Sequence, residues 1–227
     1  MGREITESDL VRWSETLAGI ARTGLGFTQN LYERERFEEV LAVAADIHHA
    51  TSVGADIEQS TIVHDWLSSV GDGVAGYVTP KVAVGAIVGN DDGELLLVKR
   101  ADSGIWLYPT GWADVGYSPA EVVVKEVFEE TGIKCEVQRM LAVFDGLRLG
   151  FTRIPLYSLV FLCRAIGGEL TPHPLETADV GFFARDALPE PLAGYGQWGD
   201  LVFGALAGEQ QPTWFDVPRN PPWLGEH

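Results

Sequence analysis

Gly111-Trp112-Ala113-Asp114-Val115-Gly116-Tyr117-Ser118-Pro119-Ala120-Glu121-Val122-Val123-Val124-Lys125-Glu126-Val127-Phe128-Glu129-Glu130-Thr131-Gly132-Ile133 decides how this chain is read. Physically it is a glycine-bearing loop, a capped helix and a glycine stop. Ser118 is a good N-cap, Pro119 suits the first helical position, and Glu121 completes a Ser-x-x-Glu capping box. Gly132 stands where a helix ends in the left-handed conformation. Glu126, Glu129 and Glu130 fall at i, i+3 and i+4, so their carboxylates share one face. Val123, Val124, Val127 and Thr131 fall largely on another side, suited to packing on a sheet. Like charges at this spacing destabilise an isolated helix by a few tenths of a kcal/mol per pair. A hard divalent cation such as Mg²⁺, which prefers oxygen ligands, would remove that repulsion. A bare Glu-x-x-Glu-Glu reads as a solvated acidic face. The loop glycine, cap, Lys125 and glycine stop in fixed register favour the cation instead.

Composition sets the outer bounds. A chain of 227 residues with 46% hydrophobic content can bury a sizeable core, as one large domain or a medium domain plus a small one. Apolar runs such as Val82–Val88 and Leu159–Cys163 are too short to span a bilayer, and Met1–Glu7 lacks an apolar signal region. A soluble, cytoplasmic protein is expected. The formal charge of −17 argues against nucleic-acid and anionic-membrane partners, which call for basic patches. A negatively charged substrate would then need metal ions at the site. Cys135 and Cys163 lie in strand-like sequence and read as core thiols.

The quoted stretch resembles the Nudix box, Gly-x5-Glu-x7-Arg-Glu-U-x-Glu-Glu-x-Gly-U, with U a bulky apolar residue. Gly111, Glu126, Val127, Glu129, Glu130, Gly132 and Ile133 align with it, while Tyr117 replaces the first glutamate and Lys125 the arginine. Lys125 keeps the charge without the planar fork. The wording around these departures resembles a Nudix subgroup that carries a small helical N-terminal domain. That subgroup includes CDP-choline pyrophosphatase-like and ADP-ribose pyrophosphatase-like enzymes, and lysine is usual there. Trp13, Ala21-Arg22-Thr23-Gly24-Leu25, Tyr32-Glu33 and Arg36-Phe37 are similar to its N-terminal domain.

In chain order, helices are expected over 7–22, Leu31–His49 and Ile57–Val70, with Thr23-Gly24-Leu25-Gly26 breaking the first. Three short helices make a marginal core, so docking on another domain or subunit is expected. His48 and His49 are adjacent on a helix and point apart, so they and His64 read as surface or helix-end histidines rather than zinc ligands. Gly71–Pro80 is the linker. A hairpin follows, Lys81–Val88 and Glu94–Arg100 about an Asn/Asp/Gly turn. Trp106 and Trp112 read as core aromatics, with base stacking as the alternative. Thr110 stands where relatives usually have glycine. Further strands are expected at Cys135–Phe144, Ile154–Arg164 and Glu176–Phe183. A short helix is expected at Ala184–Leu188, a last helix at Trp198–Ala207, and an extended arm or frayed end over Gln211–His227.

The resemblance implies an α+β chain. It comprises a small helical N-terminal domain (1–73), a Nudix α/β/α sandwich with a mixed sheet (74–210) and a proline-bearing tail (211–227). It implies Mg²⁺, with Mn²⁺ as substitute, on Glu126, Glu129, Glu130 and the Gly111 carbonyl. One of these glutamates, or Glu176, would take the proton from water, and Lys125 would hold Glu126 or steady the loop. Arg100, Trp112, Arg148 and Arg153 are the candidate substrate contacts. The implied activity is hydrolysis of a nucleoside diphosphate linked to another moiety, CDP-choline-like or ADP-ribose-like, by a homodimer. A nucleotide-sensing protein that no longer cuts is the alternative suggested by Tyr117 and Thr110.

Overall fold

The computed structural model describes residues 5–51, 57–71, 79–114, 116–152 and 155–218. Two compact units emerge, one of Met1–Lys81 with Gly146–Leu156, the other of Val82–Asp145 with Tyr157–His227.

The first unit is helical. α1 (Glu7–Phe27) starts on a capping box in which the Thr6 hydroxyl accepts from the Asp9 N–H and the Asp9 carboxylate accepts from the Thr6 N–H. α2 (Leu31–His49) is capped by the Asn30 carbonyl oxygen, and α3 (Gln59–Ser68) is shorter at both ends than the sequence suggests. The expected break at Thr23–Gly26 does not occur. Gly24 stays helical because the Phe37 ring of α2 occupies the space that a Cβ there would fill. The glycine serves a close helix crossing, not a stop. Ala18, Ala21, Leu25, Leu41 and Ala44 form the buried centre, covered by Phe37, Trp66 and Leu67. The small alanines let α1 and α2 approach closely. His48 packs edge-on against Trp66 and lies 3.3 Å from the Ser14 hydroxyl, while His49 Nδ1 lies 2.9 Å from the Ile57 carbonyl oxygen. Both rings thus serve the helical packing. Most of the expected Gly71–Pro80 linker lies outside the described residues.

The second unit is built on a sheet. Its strands are β1 (Lys81–Gly89), β2 (Leu95–Arg100), β3 (Trp106–Leu107), β4 (Thr110–Trp112), β5 (Ile133–Asp145), β6 (Leu156–Gly168), β7 (Thr177–Phe183) and β8 (Trp214–Phe215). Among the described residues they run in the order β3-β2-β1-β6-β5-β8, with β4 on β1 and β7 on β2. The β5–β8 pair is parallel, whereas β1–β2, β1–β4, β2–β3, β2–β7 and β5–β6 are antiparallel, so the sheet is mixed. α4 (Pro119–Thr131) buries Val122, Val123 and Val127 against Val84, Ala86, Val88 and Leu96. Each fully buried valine contributes roughly 1.5–3 kcal/mol. The alternate residues of β1 face the other side, where Gly85 meets the Tyr108 ring and Gly89 meets Leu206 of α6 (Tyr195–Leu206). Trp198 of α6 stacks edge-on against Tyr108 at 5.6 Å between ring centres. One sheet between two helices gives the three-layer arrangement.

Two expectations are corrected. Residues 184–188 form a single turn, closed by the Ala187 N–H on the Ala184 carbonyl at 3.0 Å, and Pro189 prevents its growth. The tail from Gln211 begins as a docked strand rather than a free arm. β8 pairs with β5, the Asp216 carboxylate accepts from the Asp145 N–H at 3.0 Å, and Trp214 packs on Phe144. Residues 219–227 lie outside the described part, as do Val115 and the expected strand start at Ile154. Cys135 and Cys163 are buried free thiols, as read from the sequence. No described helix is long and apolar enough to cross a membrane.

Candidate active site

The site forms where β4 meets α4. Both ends of α4 follow the sequence signals. The Glu121 N–H donates to the Ser118 hydroxyl, the Ser118 N–H donates to the Glu121 carboxylate, and Gly132 takes φ +73° at the C-cap. This capping sets the rotation of the helix, which turns its valines to the sheet and its glutamates toward the β4 loop.

Glu130 is the buried member of the glutamate set, 9% exposed, and one carboxylate oxygen accepts the Thr110 N–H at 3.1 Å. Burial pushes its carboxyl up to about 8, with repulsion from Glu126 and Glu176 adding to the rise and the Thr110 N–H and Arg100 opposing it. Thr110 therefore does the work of a bare backbone donor. It lies in regular strand pairing with Gly85, and no described non-glycine residue has positive φ, so a threonine fits without strain. Glu126 presses against Gly111, where any Cβ would overlap its carboxyl group. Partial burial raises the Glu126 carboxyl as well; Lys125 opposes the rise and Glu129, Asp114 and Glu176 add to it.

Lys125 binds the Asp114 carboxylate at 2.8 Å and lies 3.6 Å from Glu129. Of its two expected roles it takes the second, tying α4 to the loop through Asp114, and it reaches Glu126 only through space. Asp114 stood within the decisive stretch but carried no expected role. Its partner is eleven residues away, a distance that helical periodicity does not register.

Glu176 sits exposed just before β7, where its backbone carbonyl accepts the Ala101 N–H at 2.9 Å. Its charge is felt at Glu126, Glu130 and Arg100, so the fold brings it to the site. Arg100, at the end of β2, forms a forked pair with Asp102 at 2.9 and 2.6 Å. A phosphate there would have to displace that carboxylate. Trp106 is core at 6% exposure, whereas Trp112 is 51% exposed, which overturns the core reading for Trp112. Its place on β4, beside Gly111, puts its side chain on the strand face that alternates with the packed one. Tyr117 is exposed on the loop. Arg148 belongs to α5 (Gly146–Leu149) in the helical unit, and Arg153 lies outside the described residues.

Among the described residues no three carboxylate, imidazole or thiol groups already converge on one point. Glu130 is turned to the Thr110 N–H and Glu129 toward Lys125, as expected of like charges that find other partners. The donor set nevertheless fits a hard cation. Three glutamates share one helix face, two of them carry carboxyls raised by burial and mutual repulsion, and the absence of a Cβ at Gly111 lets the Glu126 carboxyl close on that backbone.

Comparison with known proteins identifies the family. Residues 79–200 match the NUDIX domain, and residues 8–59 match the UDP-X-like, N-terminal oligomerisation domain. YjhB of Bacillus subtilis strain 168, provisionally named an ADP-ribose pyrophosphatase, is 31% identical over 207 residues, covering 89% of this chain and 95% of that protein. The crystal structure of a UDP-X diphosphatase superposes with a TM-score of 0.56 at 31% identity, over 93% of this chain and all of the other. An ADP-ribose pyrophosphatase from Streptococcus suis 89-1591 gives a TM-score of 0.54 at 37% identity, over 61% of this chain and all of that one.

Proposed function

Since the chain belongs to the Nudix hydrolase family, we propose that it cleaves the diphosphate bridge of a nucleoside diphosphate joined to another moiety, in an Mg²⁺-dependent reaction. The observation that carries this reading is the Glu126–Glu129–Glu130 face set against Gly111 and Thr110. Full-length similarity to relatives named for ADP-ribose and UDP-X substrates favours a linked diphosphate over a nucleoside triphosphate.

Glu126, Glu129 and Glu130, with the Gly111 carbonyl, would hold the metal. Bound there, Mg²⁺ or Mn²⁺ neutralises charge on the phosphate oxygens and acidifies a water near neutral pH. The remaining work falls to the chain. Glu130, drawn out of water and held by the Thr110 N–H, is one candidate to accept a proton from the attacking water. Glu176, open to solvent on the facing loop, is the second candidate acceptor. The Thr110 N–H keeps Glu130 oriented, and Lys125 fixes the loop through Asp114. Arg100 would exchange Asp102 for a substrate phosphate, an exchange that keeps its charge paired throughout.

Residues 8–59 would assemble the chain as a homodimer. Ile20, Phe27, Leu31 and Val43 in this unit are 55, 56, 82 and 52% exposed, apolar surface that a second copy would cover. Light scattering on the purified chain reads this directly.

The test of function is hydrolysis with Mg²⁺ across CDP-choline, ADP-ribose, NADH, dinucleoside polyphosphates and nucleoside triphosphates, with Glu129→Gln and Glu130→Gln beside the parent. Turnover of a linked diphosphate, lost in both variants, supports the reading. Folded protein that turns over nothing with Mg²⁺ or Mn²⁺ overturns it, and tight binding without turnover would identify a nucleotide sensor.

A further inference from the structure

Arg100 closes β2, and the backbone holds it from both sides. Its N–H donates to the Ile105 carbonyl at 3.0 Å, and its carbonyl accepts the Gly104 N–H at 2.9 Å. Ala101–Gly104 is therefore a tight turn, completed by Gly104 at φ +68°. The turn sets the Asp102 carboxylate against the Arg100 guanidinium, which donates to it from Nε at 2.9 Å and from Nη2 at 2.6 Å. Ser103 bonds the same carboxylate. An acid two residues along a closed turn loses little freedom on pairing, so Asp102 is the partner at hand.

Two other carboxylates compete for that guanidinium. Arg100 pairs with Thr177 of β7, and the Ala101 N–H donates to the Glu176 carbonyl at 2.9 Å, so Glu176 stands beside the turn. The Thr177 N–H donates to the His173 carbonyl at 3.1 Å, and the His173 N–H to the Glu130 carbonyl at 3.3 Å. This chain of backbone bonds ties Arg100 to the end of α4, and the charges of Glu130 and Glu176 both reach it. Among the described residues its ion pair is nevertheless with Asp102. Arginine is permanently charged and carries five N–H donors. Forked onto Glu130 or Glu176, it would neutralise the carboxylates that a metal ion has to find.

Resting on the metal-dependent reading above, we propose that Asp102 is a positioning residue that holds Arg100 off Glu130 and Glu176 and so keeps those carboxylates open to a divalent cation. A phosphate offers a guanidinium the same two-oxygen edge as a carboxylate. Substrate can therefore relieve Asp102 without ever sending the guanidinium to the glutamates.

The experiment is a double-mutant cycle read by Mn²⁺ titration calorimetry on the full chain without substrate, using Asp102→Asn, Arg100→Gln and the two combined. Both side chains are at least half exposed, so the changes spare the core. Asp102→Asn should weaken Mn²⁺ binding about tenfold, the scale of one hydrogen-bonded charge. Arg100→Gln alone should not weaken it, and the double variant should bind within about twofold of Arg100→Gln. The same loss from Asp102→Asn in both backgrounds would reduce Asp102 to a through-space charge and overturn the proposal. Weaker binding in Arg100→Gln as well would make the pair a brace for the turn, and no loss in Asp102→Asn would leave it without effect; either result overturns the proposal. A crystal structure of metal-free Asp102→Asn gives a second reading, with the Arg100 nitrogens expected about 3 Å from a carboxylate oxygen of Glu130 or Glu176. If the parent binds no Mn²⁺, the metal-dependent reading fails, and that structure decides the role of Asp102 alone: Arg100 on a glutamate supports it, and Arg100 still at the turn overturns it.

Discussion

Two helices of this chain are rich in glutamate, and they treat the charge in opposite ways. Along α2, Glu38 pairs with Arg34 at 3.3 Å and Glu39 with Arg36 at 2.8 Å, each side chain about half exposed. Thr28 donates to Glu33, and Arg36 also lies over the Tyr32 ring. Every charge there is answered locally and hydrated, so the face needs nothing further. Along α4, Glu126 and Glu130 are drawn out of water beside each other, and the nearby lysine is spent on Asp114 and Glu129. Glutamate content does not distinguish the two helices. What does is that the fold draws the α4 carboxylates out of water and sets them beside one another.

The sharpest way to break this comparison is to neutralise glutamates on both helices. Glu126→Gln or Glu130→Gln should lower kcat on a linked diphosphate by on the order of 10²–10³-fold or more, the scale of losing one placed electrostatic group. Glu38→Gln on α2 should leave steady-state hydrolysis within twofold of the parent. Comparable losses on both helices would erase the distinction.

Next in size is Gly111→Ala. The added Cβ overlaps the Glu126 carboxyl and forces it off the loop. Activity should fall at least tenfold and Mn²⁺ affinity should fall with it, read by titration calorimetry, while thermal stability changes little.

The pH response separates the helices without any substrate. Glu130 has a folded-state carboxyl raised to about 8, against an ordinary value of 4.5. Between those values the folded chain holds the proton more tightly than the unfolded chain. Metal-free stability attributable to this group is therefore intact below about pH 4.5 and is lost as pH rises toward 8. Thermal melts in chelator should show the midpoint falling over that range. Glu130→Gln should flatten the fall and raise the midpoint at pH 8, and saturating Mn²⁺ should do the same for the parent. Glu38→Gln should leave the slope unaltered.

The smallest effects are expected from the lysine and the α2 pairs. Lys125→Ala should lower kcat several-fold by loosening the Asp114 loop, with the melting midpoint nearly unmoved, since an exposed pair contributes little to stability. Arg36→Ala should shift stability by at most about 1 kcal/mol, as exposed helix pairs do.

Much of this architecture was legible in the chain. Caps mark the ends of α4, an Asn/Asp/Gly turn marks the first hairpin, and apolar residues at helical spacing mark α2 over Leu31–His49. These are local signals, carried by neighbours within four residues. The same locality explains the misses. Gly24 read as a break because a lone helix would fray there, and only the Phe37 ring from another helix makes glycine the required residue. Trp112 read as core because tryptophan is apolar, and strand alternation together with the pairing partner decided its exposure. The β8 strand has two residues and no periodicity to reveal it.

By itself, then, the sequence determined which side chains could do chemistry and which face of one helix would carry them, because helix spacing and capping are local physics. Tertiary structure decided the rest. It chose Thr110 as the donor to Glu130 and Asp114 as the partner of Lys125, and it placed Glu176 from the distant loop before β7 near the carboxylates. Those choices depend on burial and on contacts between segments far apart in the chain. Desolvation and long-range packing exist only once the sheet has closed, so no local pattern can encode them.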